Sequence, residues 1–543
     1  MQIEFIGCGD ADSGGLSVDE AGSKAANLAR LARIGLRVPP AFVLGTSICR
    51  EVMKAGGLLS DDMRLAVRGG MARLEGATRR QFGGRRPLLV SVRSSPPSSM
   101  PGMLETILNV GLNDAATRGL LRTTGNPLLV WDTARRFAEA FAQTVAGCSS
   151  VPFARLRERV LTAAGTVSLD EVDPLTLRDL ARETAHLAET LSGSPLPNDP
   201  QVQLEAAIEA VVRSWSSPRA VEYRRLCHVS DRAGTAVIVQ AMVFGNGHAA
   251  SGSGVGFTRN PSNGADDLYI DFLFNAQGED VVSGRQQVAA RATLAATLPE
   301  VDEELRRAKT ALEREFGDMQ DFEFTVQERE LYFLQSRAGK RTPWAALQIA
   351  SDLVRSRLIT PSEALRRLER YDLRAIRRTR LLPGVNADVV ASAVPAGLGV
   401  AVGAIALDCG RARSLAATRP VVVVRPDLTT DDVAGLAVSA GILTTHGGRT
   451  SHAAVVAREL GKVCLVGCAT LRVDETRRRC WLGGRSFVEG DVITLDGESG
   501  LVYAGAVPTV AERPDAALAD VERWRATAGV PAISAGLSGG SPS

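Results

Sequence analysis

Residues 447–458 read Gly-Gly-Arg-Thr-Ser-His-Ala-Ala-Val-Val-Ala-Arg and carry the densest chemistry in the chain. The two glycines permit a tight backbone approach ahead of a helix that the pattern starts near Thr450 and ends at Gly461. His452 then falls in the first helical turn, where unpaired N–H groups and the helix dipole favour an anion. Imidazole has an ordinary pKa of about 6.5, so its neutral form can attack phosphorus near pH 7 and become a phosphohistidine. Gly448 keeps the approach open, and the Thr450 and Ser451 hydroxyls can hydrogen-bond the attached phosphate. The bland alternative is a histidine that only caps or packs, and the whole string argues against it. His446, just before the glycines, reads as a loop residue. Cys464, Cys468 and Cys480 lack a second pair or a histidine at ligand spacing, so they read as small core residues.

Such a histidine needs a domain to present it and another to charge it. At 543 residues, with 45% hydrophobic and 23% charged residues, the chain is ordinary for a soluble protein and long enough for several cores. A net charge of +2 gives no reason to invoke nucleic acid or an acidic membrane surface. With no long apolar run or signal peptide, a cytoplasmic location is expected. Of the 63 basic residues only five are lysine, Lys24, Lys54, Lys309, Lys340 and Lys462. A lysine retained against such an arginine excess is a candidate point charge. Periodicity predicts a helix feeding a strand over 16–45, with Ser23 as a possible cap, and a strand over 88–92. It predicts mainly helix over 112–227 and strands at 235–244, 253–258 and 268–274. A hairpin follows at 321–326 and 331–335. A charged helical connector spans 343–382. A small domain rich in Val, Ala and Gly follows, with strands at 399–406, 420–425, 440–444, 463–466 and 491–495. Residues 531–543 read as a disordered tail.

Many short strings, in order, resemble pyruvate phosphate dikinase across residues 20–510. They include Gly22-Ser23-Lys24-Ala25-Ala26-Asn27-Leu28, Leu89-Val90-Ser91-Val92-Arg93-Ser94, and Ser99-Met100-Pro101-Gly102-Met103. They continue with Gly254-Val255-Gly256-Phe257-Thr258-Arg259, Asn275-Ala276-Gln277-Gly278-Glu279, Leu334-Gln335-Ser336-Arg337 and the His452 string itself. The resemblance implies a multidomain α/β and α+β protein. Residues 1–340 would form an ATP-grasp nucleotide-binding domain with a helical insertion at about 112–227. Residues 341–383 would be a helical linker, 384–510 a swivelling phosphohistidine domain, and 511–543 a remnant linker helix and tail.

The same resemblance implies site roles. Lys24 and Arg93 would neutralise phosphate oxygens of ATP, with Glu279 and Asp321 nearby. Glu323 and Gln335 would present oxygens to Mg2+, and Arg337 would stabilise charge on the transferring group. The strand Val239–Val243 resembles one whose backbone reads adenine. His452 would take the phosphoryl group, leaving AMP. Dikinases usually read RGGMTSH here, so His446 and Arg449 depart from the pattern, as does Ser95-Pro96-Pro97 in a phosphate loop. The latter leaves inorganic phosphate open as a co-substrate. Because no phosphoenolpyruvate/pyruvate barrel follows the small domain, a separate barrel polypeptide is the expected acceptor. Transfer to another small molecule and a non-catalytic binding role are the alternatives.

Overall fold

The computed structural model describes residues 3–9, 15–98, 100, 103–166, 168–283, 289–428, 432–449 and 451–528. The expected tail at 531–543 lies outside these. The chain divides into two compact units, one of residues up to 251 with 325–336, the other of 252–324 with everything from 337 on.

In the first unit five antiparallel strands lie in the order Ile3–Ile6, Ala41–Leu44, Ala236–Ala241, Val90–Ser95 and Thr106–Val110. Ala41–Leu44 and Ala236–Ala241 are buried at every position. The helix Pro200–Arg213 contributes Leu204, Ile208 and Val211 to the core that holds Val90, Val92, Ile107 and Val237. Between these strands the helices punctuate themselves. Asn126, Asp173, Asp199 and Ser217 cap helices that open on Pro127, Pro174, Pro200 and Pro218. Gly147 and Gly193 close two of them in the left-handed conformation, as Gly165 closes the helix Val151–Ala164.

The helix Val18–Arg33 corrects one expectation. Its cap is Ser17, whose hydroxyl accepts from the Asp19 N–H at 3.3 Å, and not Ser23. The helix breaks at Gly22 (φ 75°, ψ 164°), and Ser23 instead donates to the Pro96 carbonyl.

In the second unit the strands Tyr269–Phe274 and Gly252–Phe257 pair antiparallel and share a sheet with residues 320–324 of the strand Gln320–Gln327. A Cβ at Gly254 would meet Phe324 at 2.4 Å, and one at Gly256 would meet Phe322 at 2.3 Å. The glycines of this strand thus make room for the aromatic rings of its neighbour.

Downstream, eight strands form one sheet whose centre, Val400–Ala406, Val421–Arg425, Gly441–Thr444 and Val463–Val466, is parallel. Val421 and Val423 face one core with the helix residues Ala453, Ala454 and Ala457. Val422 and Val424 face the other, with Cys480, Leu482 and Phe487 of a three-stranded sheet. The unbroken valine run therefore reports burial on both faces.

The segment expected to be helical throughout 343–382 contains helices Pro343–Arg355 and Pro361–Leu368, and then a strand, Arg378–Leu381. That strand pairs antiparallel with Thr509–Glu512, and both helices share a core with Ala517 and Val521 of the helix Asp515–Ala528. Cross-strand pairing, invisible to helical periodicity, decides the local structure. Among the described residues no helix is long and apolar enough to cross a membrane.

One buried charge cluster stiffens the helix Pro127–Ala146. Asp132 accepts from Arg135 at 2.7 Å and from Arg136 at 2.6 Å. Burial alone would raise its carboxyl, but the two arginines pull it down to about 2. A carboxyl depressed on folding stabilises above its unfolded pKa of about 3.9 and loses that contribution as pH falls toward 2. Asp132→Asn should therefore lower stability by about 2 kcal/mol at neutral pH. Urea unfolding should show the gap to wild type closing as the pH approaches 2.

Candidate active site

In the first unit, Lys24 and Arg93 are positioned by one close approach. A Cβ at Gly22 would lie 1.7 Å from the Ser95 carbonyl, so the helix break admits the end of the strand Val90–Ser95. The Ser95 hydroxyl accepts from Ala25 N–H at 3.1 Å and donates to the Ala21 carbonyl at 3.0 Å. Pro96 offers its carbonyl to both Ser23 N–H and the Ser23 hydroxyl, each at 3.0 Å. Half-buried Lys24 follows directly on this clasp. Residues 99, 101 and 102 of the Ser-Met-Pro-Gly-Met string lie outside the described residues.

Arg93 donates from Nη2 to Gln335 Oε1 at 3.1 Å, and from Nη1 to Gln240 Oε1 and the Leu334 carbonyl at 3.3 Å each. Gln240 in turn donates to the Pro39 carbonyl. Its role was not read from the sequence, although a lone polar residue in the apolar run Ala236–Ala241 is a visible signal. In Val239–Val243, the N–H groups of Ala241 and Met242 are bonded to the carbonyls of Pro40 and Leu89.

In the second unit Asp321 accepts from Arg337 Nε at 2.7 Å. Burial pushes the Asp321 carboxyl upward, against the pull of Arg337 and with the like charge of Glu323 adding to it. Arg337 is itself only half-buried. Glu323 lies two residues along the same strand, and Glu279 is exposed in the short helix Gly278–Ser283. The candidate residues thus gather as two sets, Arg93 with Gln335 in one unit and Asp321 with Arg337 in the other.

His452 is the first residue of the helix His452–Glu459. Ser451 is its cap, accepting from Ala454 N–H at 3.5 Å while its own N–H bonds the Gly448 carbonyl at 3.1 Å. This use of the hydroxyl was not foreseen. Gly447 has φ 109°, and a Cβ there would lie 2.9 Å from Ser451 Oγ. Gly448 is buried. Thr450 lies outside the described residues. His446 is exposed, its ring nitrogen 3.2 Å from the Pro426 carbonyl. Cys464, Cys468 and Cys480 are buried core residues, and burial drives the Cys464 and Cys480 thiols to about 12.

A histidine at a capped helix start, following paired glycines, belongs with arginine-bearing strands in a phosphotransferase. Comparison with known proteins bears this out. Residues 60–298 match the pyruvate phosphate dikinase AMP/ATP-binding domain, and residues 417–500 match the mobile domain of PEP-utilising enzymes. The chain is 38% identical to pyruvate, phosphate dikinase of Rhizobium meliloti (strain 1021) over 96% of its own length and 60% of that protein's. It is 39% identical to the Clostridium symbiosum protein of that name, over 90% and 56%. For the chloroplastic protein of Mesembryanthemum crystallinum the identity is 40%, over 93% and 53%. The chain carries the pyruvate phosphate dikinase AMP/ATP-binding domain and the mobile domain of PEP-utilising enzymes, and spans a little over half the length of these relatives. Expecting the acceptor barrel on a separate polypeptide was wrong. The relatives are full-length single chains that carry the PEP-utilising domain together with the nucleotide domain.

ATP is the substrate that fits the matched nucleotide domain. Arg93→Lys keeps one positive charge but removes the planar fork that reaches Gln240, Leu334 and Gln335. It should weaken ATP binding about tenfold, or about 1.4 kcal/mol. Calorimetric titration giving wild-type affinity would exclude Arg93 from the phosphate site.

Proposed function

We propose that this chain performs ATP-dependent phosphorylation of His452 as the first stage of a dikinase reaction. The observation that carries the reading is the place of His452 at the start of a capped helix within the matched mobile domain. The neutral imidazole attacks the β-phosphorus and the α–β bridge breaks, with AMP as the leaving group. With the β-phosphate retained on His452, the γ-phosphoryl group must leave separately. Inorganic phosphate would accept it as pyrophosphate, whereas water would yield phosphate. The relatives are named for pyruvate and phosphate, which supports phosphate as the co-substrate and pyruvate as the eventual acceptor.

The nucleotide region is proposed to be an ATP-grasp fold in which Lys24 and Arg93 hold phosphate oxygens. Arg337, fixed through Nε by Asp321, presents its remaining guanidinium edge to developing charge. The donor chemistry fits magnesium, which takes oxygen ligands and keeps few from protein when phosphates supply the rest. Glu323 offers a carboxylate. The Gln335 amide oxygen accepts from Arg93 and retains a second lone pair. These two residues would hold the ion, and magnesium when bound would offset phosphate charge. We assign Glu279 to the nucleotide, and Gly448, Ser451 and Thr450 to the support of the phosphohistidine. Residues 384–510 are taken as the carrier domain. All eight cysteines are free, in keeping with a reducing cytoplasm.

The test is incubation with β-labelled ATP. Wild-type protein should gain acid-labile label and release AMP, and His452→Ala should take up none while still binding nucleotide. Undiminished label on the variant would refute the assignment. Pyrophosphate appearing only when phosphate is supplied would settle the co-substrate.

A further inference from the structure

Within the second unit, the loop that carries His452 rests on the strand Tyr269–Phe274. The Arg449 guanidinium lies 4.4 Å from the centroid of the Tyr269 ring. The Tyr269 hydroxyl donates to the Pro395 carbonyl at 2.9 Å, and the Ser262 hydroxyl donates to that of Ala396 at 3.5 Å. Behind this contact Arg458 is 2% exposed. Its Nη1 donates to the Arg449 carbonyl at 2.7 Å, and its guanidinium lies 5.5 Å from the Phe257 ring centroid. The carboxylates of Asp321 and Asp271 act on the same buried cation. Tyr269 therefore meets the Arg449 side chain and Arg458 meets its carbonyl, three positions before His452.

We propose that Arg449, Tyr269 and Arg458 form a latch that holds the His452 loop against the 252–324 sheet while the histidine is phosphorylated. Arg449 is the positioning residue at its half-buried edge. Arg458 fixes the Arg449 backbone, so that the cation–π contact transmits the position of Tyr269 to the helix start. Tyr269 keeps its proton across the working pH range, since burial raises its hydroxyl to about 12, and it therefore remains a donor to Pro395. The outer contact is one that can be broken cheaply. A cation–π pair at a partly exposed site is worth a small fraction of what holds a domain together. A carrier that must leave after loading needs a contact of that strength.

The proposal rests on His452 phosphorylation, so its test has two arms. At saturating ATP, Arg449→Met should slow acid-labile labelling about tenfold while the ATP concentration for half-maximal rate stays unchanged. Arg449→Lys, which keeps a cation, should stay within about threefold of wild type. Tyr269→Leu should match Arg449→Met, and the double variant should be no slower than either single one. Tyr269→Phe, which keeps the ring, should fall between wild type and Tyr269→Leu and guards against a folding defect. Additive losses, an unchanged rate in Arg449→Met, or a shift confined to ATP affinity would overturn the latch. If the wild-type chain takes no label, the proposed function fails, and amide exchange over 447–456 in the unliganded full chain decides the latch alone. Faster exchange in Arg449→Met and Tyr269→Leu, with no further rise in the double variant, supports it. Exchange at the wild-type rate in both refutes it.

Discussion

A guanidinium taken out of water costs several kcal/mol unless its donors and charge are answered, and Arg458 places that constraint at the centre of the second unit. One donor is answered by the Arg449 carbonyl and the face by Phe257, while burial outweighs the pull of Asp321 and Asp271 and lowers the guanidinium's pKa. Each of these partners comes from a different stretch of the chain. The helix that starts at His452 cannot shift along the sheet without disturbing at least one of them. Asp321 itself holds Arg337 through Nε at 2.7 Å.

The first unit solves a related problem without burying an ion. There the positions of Lys24 and Arg93 follow from the backbone contact between Gly22 and Ser95, which no residue with a side chain at position 22 could make. The Ser95 hydroxyl and the Pro96 carbonyl then tie the two segments with four hydrogen bonds. The departure at Ser95-Pro96-Pro97 therefore has a structural use here. Pro96 lacks an N–H but supplies the acceptor that Ser23 uses twice. Arg93 is then held in plane by Gln240 and Gln335, so its fork is set before any ligand arrives.

What could be read in the sequence was local. The helix around His452 was legible because paired glycines and an apolar run lie within a dozen residues, although its start, expected near Thr450, falls at His452 with Ser451 as the cap. The strand at Val421–Arg425 was legible because four consecutive valines have few other uses. The strands Arg472–Asp474, Arg479–Leu482 and Arg485–Val488 were not, since they are short and rich in arginine and do not alternate cleanly. Nor was the ribbon joining Arg378–Leu381 to Thr509–Glu512, whose partners are separated by more than a hundred residues. The same line runs through the residues around the candidate site. Arg93 and Arg337 stand in recognisable strings. Gln240 and Tyr269 matter only through what lies across from them.

The ribbon also bears on how a carrier domain could move. The chain enters the region 384–508 along Arg378–Leu381 and leaves it along Thr509–Glu512, and these two strands pair with each other. Arg378 ties the ribbon further, bonding Glu512 at 2.9 Å and stacking 4.5 Å from Trp344. Entry and exit are thus held side by side and anchored to the helices of 343–368. A rotation of everything between them has to be absorbed at the two points just beyond the paired strands, around Gly384 and Gly505. Both are glycines with positive φ, 80° and 73°, and neither has anything within 4 Å of where a Cβ would stand. Backbone freedom is therefore concentrated where the ribbon ends, while the ribbon itself fixes the axis. Motion of this kind would leave the core shared by the three helices intact. It would have to break the contacts on the carrier face, the stack of Arg449 on Tyr269 and the hydrogen bonds of Tyr269 and Ser262 to the Pro395 and Ala396 carbonyls among them.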